Sequence, residues 1–291
     1  MTLALVAPGT VWWRWVDDPL AAASLLVLCL AYAGGVRQLW AHAGAGAVVR
    51  RWQTRAFTGG LVACGIALVS PLAALAHTLL SAHMVQHLLL VLVAAPLLVA
   101  GAPLLPLVHA LPAGWQRRAQ RVRARPWLRR ASHSLAGMMT ACAAHLAVMW
   151  GWHVPALYEA AVASTVVHAV EHVTMLGSAM WVWTTILQAG GPTRRARPAG
   201  AIAMFLTGTL SVGLGPLMVF TSTAWYPIYA QGAALWGLTP LQDQQAAGGI
   251  MWGIGGLAYP LFGALLFARW LDDDRRRPDR LARRSQWWQT S

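Results

Sequence analysis

Runs of about twenty uninterrupted apolar residues recur along this chain, and they leave few folds open. Twenty residues of α-helix rise about 30 Å, the thickness of a bilayer's hydrocarbon core. In that medium every backbone N–H and C=O must be paired inside the protein, which restricts spanning segments to helices and closed barrels. Barrel strands alternate in polarity over short segments, whereas these runs are continuous. Of the 291 residues, 57% are hydrophobic and 11% are charged, unlike soluble globular domains. The expected fold class is an all-α polytopic membrane protein.

Seven transmembrane helices are predicted. The first covers Leu20 to Val36, and the second Ala56 to Ala76, with Pro71 near its end. His77 to His87 follows as a tight turn. The third runs from about His83 to Val108, kinked or ended by Pro96, Pro103 and Pro106. Ser132 to Trp152, Val162 to Leu187, Ala199 to Phe220 and Ala246 to Phe267 complete the set. The seventh carries Gly248, Gly249, Gly253, Gly255 and Gly256, and such small residues let helices approach closely. Residues 1–19 read as an interfacial segment with Trp12, Trp13 and Trp15. Residues 20–268 form the transmembrane domain and 269–291 an Arg-rich tail. Leu111 to Arg130 reads as a solvated loop, with an amphipathic helix on anionic headgroups as the alternative. Thr221 to Gln245 is a longer aromatic loop.

The net charge is +13, and every basic residue is arginine. A soluble protein this basic would point to nucleic acid. Here the arginines cluster between apolar runs, so membrane lipid is the expected partner and nucleic acid is not. All except Arg14 fall in the first, third and fifth connections and the tail. The positive-inside rule then puts the N-terminus outside and the C-terminus in the cytoplasm. Cys29, Cys64 and Cys142 lie in apolar runs and read as small apolar residues. No removable signal peptide is evident.

This topology sorts the ten histidines. His42, His109 and His133 fall at cytoplasmic ends. His77, His83, His87, His145, His153, His168 and His172 fall in the outer half. His83 and His87 are spaced i, i+4 and share a helix face, about 6 Å apart. His168, Glu171 and His172 share a face of the fifth span, and Met175 continues it. Ionisable residues at that depth cost about 3 kcal/mol on insertion scales unless paired. His145, Met149 and His153 follow one another in steps of four on the fourth span. Met84 lies between the first two histidines. Asp243 opens the seventh span as a helix cap or as an orienting partner for a ligand histidine.

Three spans thus bring histidines to the outer half. Imidazole with thioether suits copper, and imidazole with carboxylate suits zinc or copper. Bis-histidine haem is an alternative. A di-iron carboxylate site needs several glutamates, and one intramembrane Glu is present. A structural polar network between helices needs no ligand at all.

The stretch His83-Met84-Val85-Gln86-His87-Leu88-Leu89-Leu90, followed by Ala95-Pro96-Leu97-Leu98 and Gly101-Ala102-Pro103, resembles the multi-span CtaG family of caa-type cytochrome c oxidase assembly factors. Three further stretches match it. They are Trp152-His153-x-Pro155-x-x-Tyr158-x-x-Ala161, His168-x-x-Glu171-His172, and Asp243-Gln244-Gln245-x-Ala247-Gly248-x-Ile250-Met251-Trp252. The resemblance covers about residues 70–268. It implies a seven-helix protein of the bacterial cytoplasmic membrane that helps mature haem–copper oxidase by handling copper.

The leading expectation is an assembly factor that binds copper at His83, His87, His168 and His172. His77, His145, His153 and Met84 are additional candidate ligands, with Glu171 and Asp243 in support. Its partners would be haem–copper oxidase subunits and an extracellular or periplasmic copper donor. The alternatives are a haem-binding electron carrier, a copper or cation transporter, and a scaffold. No nucleophile–base pair, phosphate loop or dinucleotide fingerprint is present in the right context, so an enzyme is not expected.

Overall fold

Proline, glycine and capping side chains cut the apolar runs into more helices than hydropathy alone suggests. The computed structural model describes residues 5–15, 18–125, 135–189 and 196–275. Helix α1, Pro19–Ala43, is capped by Asp18, which accepts from the N–H groups of Leu20 and Ala21 at 3.0 Å. Helix α2 is Arg51–Leu68. Ser70 then caps a separate short helix, α3 (Pro71–Ala76), so the expected second span is two helices, with Pro71 starting the later one. The turn that follows is shorter than expected, because α4 (Leu80–Leu88) already begins at Leu80.

Helix α4 continues through a π-helical segment, Leu89–Ala94, into α5 (Ala95–Ala100). Pro96 therefore does not end the helix. It lacks an N–H, and the wider turn ahead of it absorbs the altered hydrogen bonding. The break comes before α6 (Leu104–His109). The Arg-rich connection is not a loop throughout: α7 spans Ala113–Arg123, with Arg118 lying over the exposed Trp115 ring. Arginine is a good helix former, and that preference prevails here over the segment's polarity. Arg129 and Arg130 lie outside the described residues, as do His133 and residues 276–291 of the tail.

Helices α8 (Leu135–Trp152), α9 (Pro155–Ala163), α10 (Thr165–Ala189), α11 (Ala196–Val212) and α12 (Leu214–Phe220) follow. The aromatic connection is folded, with a 3₁₀ turn at Pro227–Tyr229 and helix α13 (Ala230–Leu235). Helix α14 is Pro240–Ile250, so Asp243 lies inside its first turn. It passes through a second π-helical segment, Met251–Gly255, into α15 (Gly256–Arg275), which contains Pro260. Among the described residues there is no strand. Among the described residues, four stretches are long and apolar enough to cross a membrane: Pro19–Ala43, Leu80–Ala100, Ile202–Phe220 and Pro240–Leu265.

Small residues bring these helices together, in keeping with the glycine-rich seventh span. A Cβ on Gly215 would lie 2.7 Å from the Gly248 oxygen, and one on Gly248 would lie 2.6 Å from the Gly215 oxygen. Helices α12 and α14 therefore meet backbone to backbone. Helix α14 also packs on α4, and α10 packs on α5 and α8. The buried side chains form three large clusters, one of them where α1 and α2 meet the helix continuing from α4, and the other two among these helices. One contains Val91, Cys142, Trp183, Met204 and Tyr259. The other contains Met84, Met149, Tyr158, Met175, Tyr229 and Met251, and it supports the histidines. Cys29, Cys64 and Cys142 are free thiols within helices, the last two buried.

Gly232 sets the closest approach near the site, since a Cβ there would lie 1.9 Å from the Thr78 oxygen. Gly232→Ala is expected to push α13 off the turn beside His77 and cost about 1–3 kcal/mol, the usual range for overpacking. Thermal unfolding in detergent should show a lower Tm. Gly249→Ala, whose Cβ would enter open space, should leave Tm unchanged or slightly raised.

Candidate metal centre

Two short helical spacings build the centre. One turn of α4 separates His83 from His87, and their Nε2 atoms come to 2.8 Å. Facing them, α10 presents His168, Glu171 and His172 from one face. The Glu171 carboxylate lies 3.7 Å from His83 Nε2, 3.6 Å from His87 Nε2 and 4.0 Å from His168 Nε2. His83, His87, Glu171 and His172 each offer a ligand atom, and all four atoms lie within 4.8 Å of one another. His83 and Glu171 are completely buried.

The other candidates surround this core at different distances. The His168 ring centre is 4.2 Å from that of His172 and 5.3 Å from that of His83. The His77 ring centre is 4.7 Å from that of His168. His153, just past the end of α8, is 6.3 Å from His87, ring to ring. Met84 is buried beside His87 in a shared cavity wall. His145 lies two helical turns from His153 and pairs with the Ser178 hydroxyl at 3.0 Å. Asp243 faces the backbone instead of the histidines. Its carboxylate accepts from Leu80 N at 2.7 Å, from Ser81 N at 3.1 Å and from the Ser81 hydroxyl. It thus caps the helix that carries His83 and His87, from 163 residues away in sequence. Its own helix is capped by Thr239.

Three tyrosines in the surrounding shell were not among the candidate residues. Tyr229 donates its only hydroxyl proton to the Ala76 carbonyl at 3.1 Å. Its oxygen then accepts from His83 Nδ1 at 3.0 Å and from the Tyr158 hydroxyl at 3.2 Å. The His83 proton is therefore on Nδ1, and the Nε2 lone pair faces His87 and Glu171. Tyr226 donates to the His153 carbonyl at 2.7 Å. Burial lowers the pKa of His153, opposed by the hydrogen bond from its Nδ1 to the Met149 carbonyl. That ring is neutral, with its Nε2 lone pair available. Tyr158 is visible in the sequence as part of the Trp152–Ala161 stretch. Tyr226 and Tyr229 are visible there only as part of an aromatic loop.

Many of the donor atoms have no hydrogen-bond partner in the protein. They include both Glu171 oxygens, His87 Nδ1, and Nε2 of His153, His168 and His172, all buried. Buried polar atoms are nearly always paired, and an unpaired buried carboxylate is among the costliest. A cation among these lone pairs would satisfy them together. The donor set of imidazoles and one carboxylate fits copper or zinc.

The family model for the cytochrome c oxidase caa3 assembly factor (Caa3_CtaG) matches residues 30–273, a stretch that contains every residue of the cluster. The chain belongs to this family. The resemblance carried by the His83–His87, His153–Tyr158, His168–His172 and Asp243–Trp252 stretches is thereby borne out. No curated protein and no solved structure matches the chain.

In this member of the Caa3_CtaG family, the fourth stretch serves largely to hold the others. The Gln244 side chain accepts from Trp225 N at 2.6 Å and donates to the Thr223 carbonyl at 3.2 Å, fixing the aromatic connection. Gln86 donates to the Ala67 carbonyl at 2.7 Å, tying α4 to the end of α2. Asp243→Ala would leave the buried Leu80 N–H unpaired, at a cost of about 1–3 kcal/mol. A lower Tm of the metal-free protein is expected, with Asp243→Asn intermediate. A residue acting only as a ligand would instead leave the metal-free Tm unchanged.

Proposed function

We propose that this assembly factor binds copper at the cluster of His83, His87, His168, Glu171 and His172 and delivers it to a haem–copper oxidase under assembly. In this reading α2, α8 and α10 join the four apolar stretches to make seven crossings. The N-terminus faces outward and the arginine-rich connections face the cytoplasm, as the positive-inside rule directs. The cluster then lies in the outer half of the membrane, within reach of an external copper donor and of oxidase subunits. The role is one of carrying metal, without catalysis.

The observation that carries this reading is the convergence of four ligand atoms within 4.8 Å around a buried carboxylate whose two oxygens are unpaired. The His83 tautomer supports it, because the nitrogen facing the cluster holds the lone pair. His168, His77 and His153 extend the donor set on either side, as an ion passing through would use. Copper supplies nothing to the protein's own chemistry here; it is the cargo. The open space beside the cluster, about 20 Å³, favours a bare ion over a haem macrocycle.

Copper content of detergent-purified protein, measured beside His83→Ala and His172→Ala, tests the reading. The wild type is expected to bind copper, and either variant to lose the ion held by the cluster. Cells carrying either variant should assemble oxidase with reduced copper content and activity. Normal copper and normal oxidase activity in both variants would overturn the proposal. A Soret band in the purified protein would move a haem-carrying role ahead of it.

A further inference from the structure

A second set of donors lies beside the cluster and shares one residue with it. Met84, Met149 and Met251 line a cavity of about 20 Å³ together with His87 and His153. That is room for one water-sized body. The three methionines arrive from α4, from α8 and from the start of the second π-helical segment, and all three are buried.

Methionine in a core is ordinarily a gap-filler. These three differ in having two under-used imidazoles on the same cavity. His153 is 4% exposed, and its Nδ1 is taken by the Met149 carbonyl while its Nε2 has no partner. His87 is 3% exposed, and its Nε2 faces His83 and Glu171 while its Nδ1 has no partner. Their ring centres are 6.3 Å apart. Two imidazoles that share one ion through N–metal bonds of about 2.0 Å hold their rings about this far apart.

No carboxylate lines the cavity. A site without an anion, in a low-dielectric interior, favours a monovalent ion over a divalent one. Thioether sulfur selects Cu(I) over harder ions. The two π-helical segments help frame the space, since Val91 comes from one and Met251 from the other. A π turn re-aims the side chains that follow it and recurs at functional sites.

We propose that this cavity is a Cu(I) site distinct from the histidine–carboxylate cluster and joined to it through His87. The inference rests on the copper-handling reading above. One edge of the His87 ring serves each donor set. The ring serves one set at a time: as an ion leaves Nε2 for Nδ1, the ring proton moves from Nδ1 to Nε2, and copper remains Cu(I) with no electron gained or lost.

The test is anaerobic loading of the full-length protein in detergent with chelator-buffered Cu(I), followed by copper counting and X-ray absorption at the copper edge. Wild type is compared with Met149→Leu/Met251→Leu, which nearly conserves volume, and with Glu171→Gln/His172→Ala. Two copper ions per chain are expected in the wild type, with a sulfur shell at about 2.3 Å, the usual metal–sulfur distance. The methionine variant should lose one ion and the sulfur shell while keeping a nitrogen-bound ion. The Glu171/His172 variant should keep the sulfur-bound ion.

A nitrogen-only shell in the wild type would overturn this inference and leave the cluster reading standing. So would an unchanged count and sulfur shell in the methionine variant. Absence of copper from the wild type would overturn both. The wild-type sulfur shell is read without any substitution, so a variant that fails to fold does not shield the proposal.

Discussion

Glu171 is a carboxylate placed between two helices, completely buried, with neither oxygen hydrogen-bonded within the protein. Burying such a group uncompensated is prohibitive. Compensation comes from a proton taken up by the carboxyl itself, from protons on the neighbouring imidazoles, or from a metal ion. His83, His87 and His168 all present Nε2 to it at 3.6–4.0 Å. Several imidazolium ions in one dry pocket would repel one another. A single cation shared by neutral rings satisfies the same lone pairs without that repulsion. A compact cation, as proposed above, would satisfy the carboxylate and the imidazoles together.

Much of the remaining fold fixes where α4, which carries His83 and His87, sits. Asp243 fixes where α4 starts, and Gln86 ties it to the end of α2. Tyr229 links the Ala76 carbonyl to His83, so the turn before α4 also sets the tautomer of the first ligand. Gly232 lets α13 sit directly on the Thr78 backbone. The N-terminal segment closes the same region, with Val6 N bonded to the Thr78 hydroxyl and Trp236 bonded to the Val6 carbonyl. Of these contacts only that of Tyr229 reaches a residue of the cluster, and each restricts the register of α4 or of the turn before it.

Helical periodicity makes both halves of the cluster legible in the amino-acid sequence. His83/His87 and His168/Glu171/His172 must share faces once their segments are helical. Which face meets which is not legible, because it depends on contacts between residues far apart in sequence. His145 follows the same spacing as His153 yet turns to Ser178. Asp243 reads as a helix-start residue, and it is one, but the helix it caps is another. The same limit explains the segmentation. Pro71 and Pro96 look alike as breakers. Ser70 lets one begin a new helix, whereas a π-helical turn lets the other continue an old one. The arginines from 117 to 123 signal polarity without disclosing that their backbone is helical.

Thioethers without a carboxylate sit on one side of His87, and a carboxylate with imidazoles sits on the other. A carrier that bound copper too tightly in one rigid set could not release it. In the proposed carrier, two adjacent sets of different softness, sharing a ligand, would provide a graded path in which each step replaces one or two bonds at a time. The helices that carry the two sets differ as well: α10 supplies only the carboxylate side, while α8 and the segment after α14 supply the thioether side. Helix α4 contributes to both. Asp243 and Gln86, which hold α4, thus fix the element that the two sets have in common.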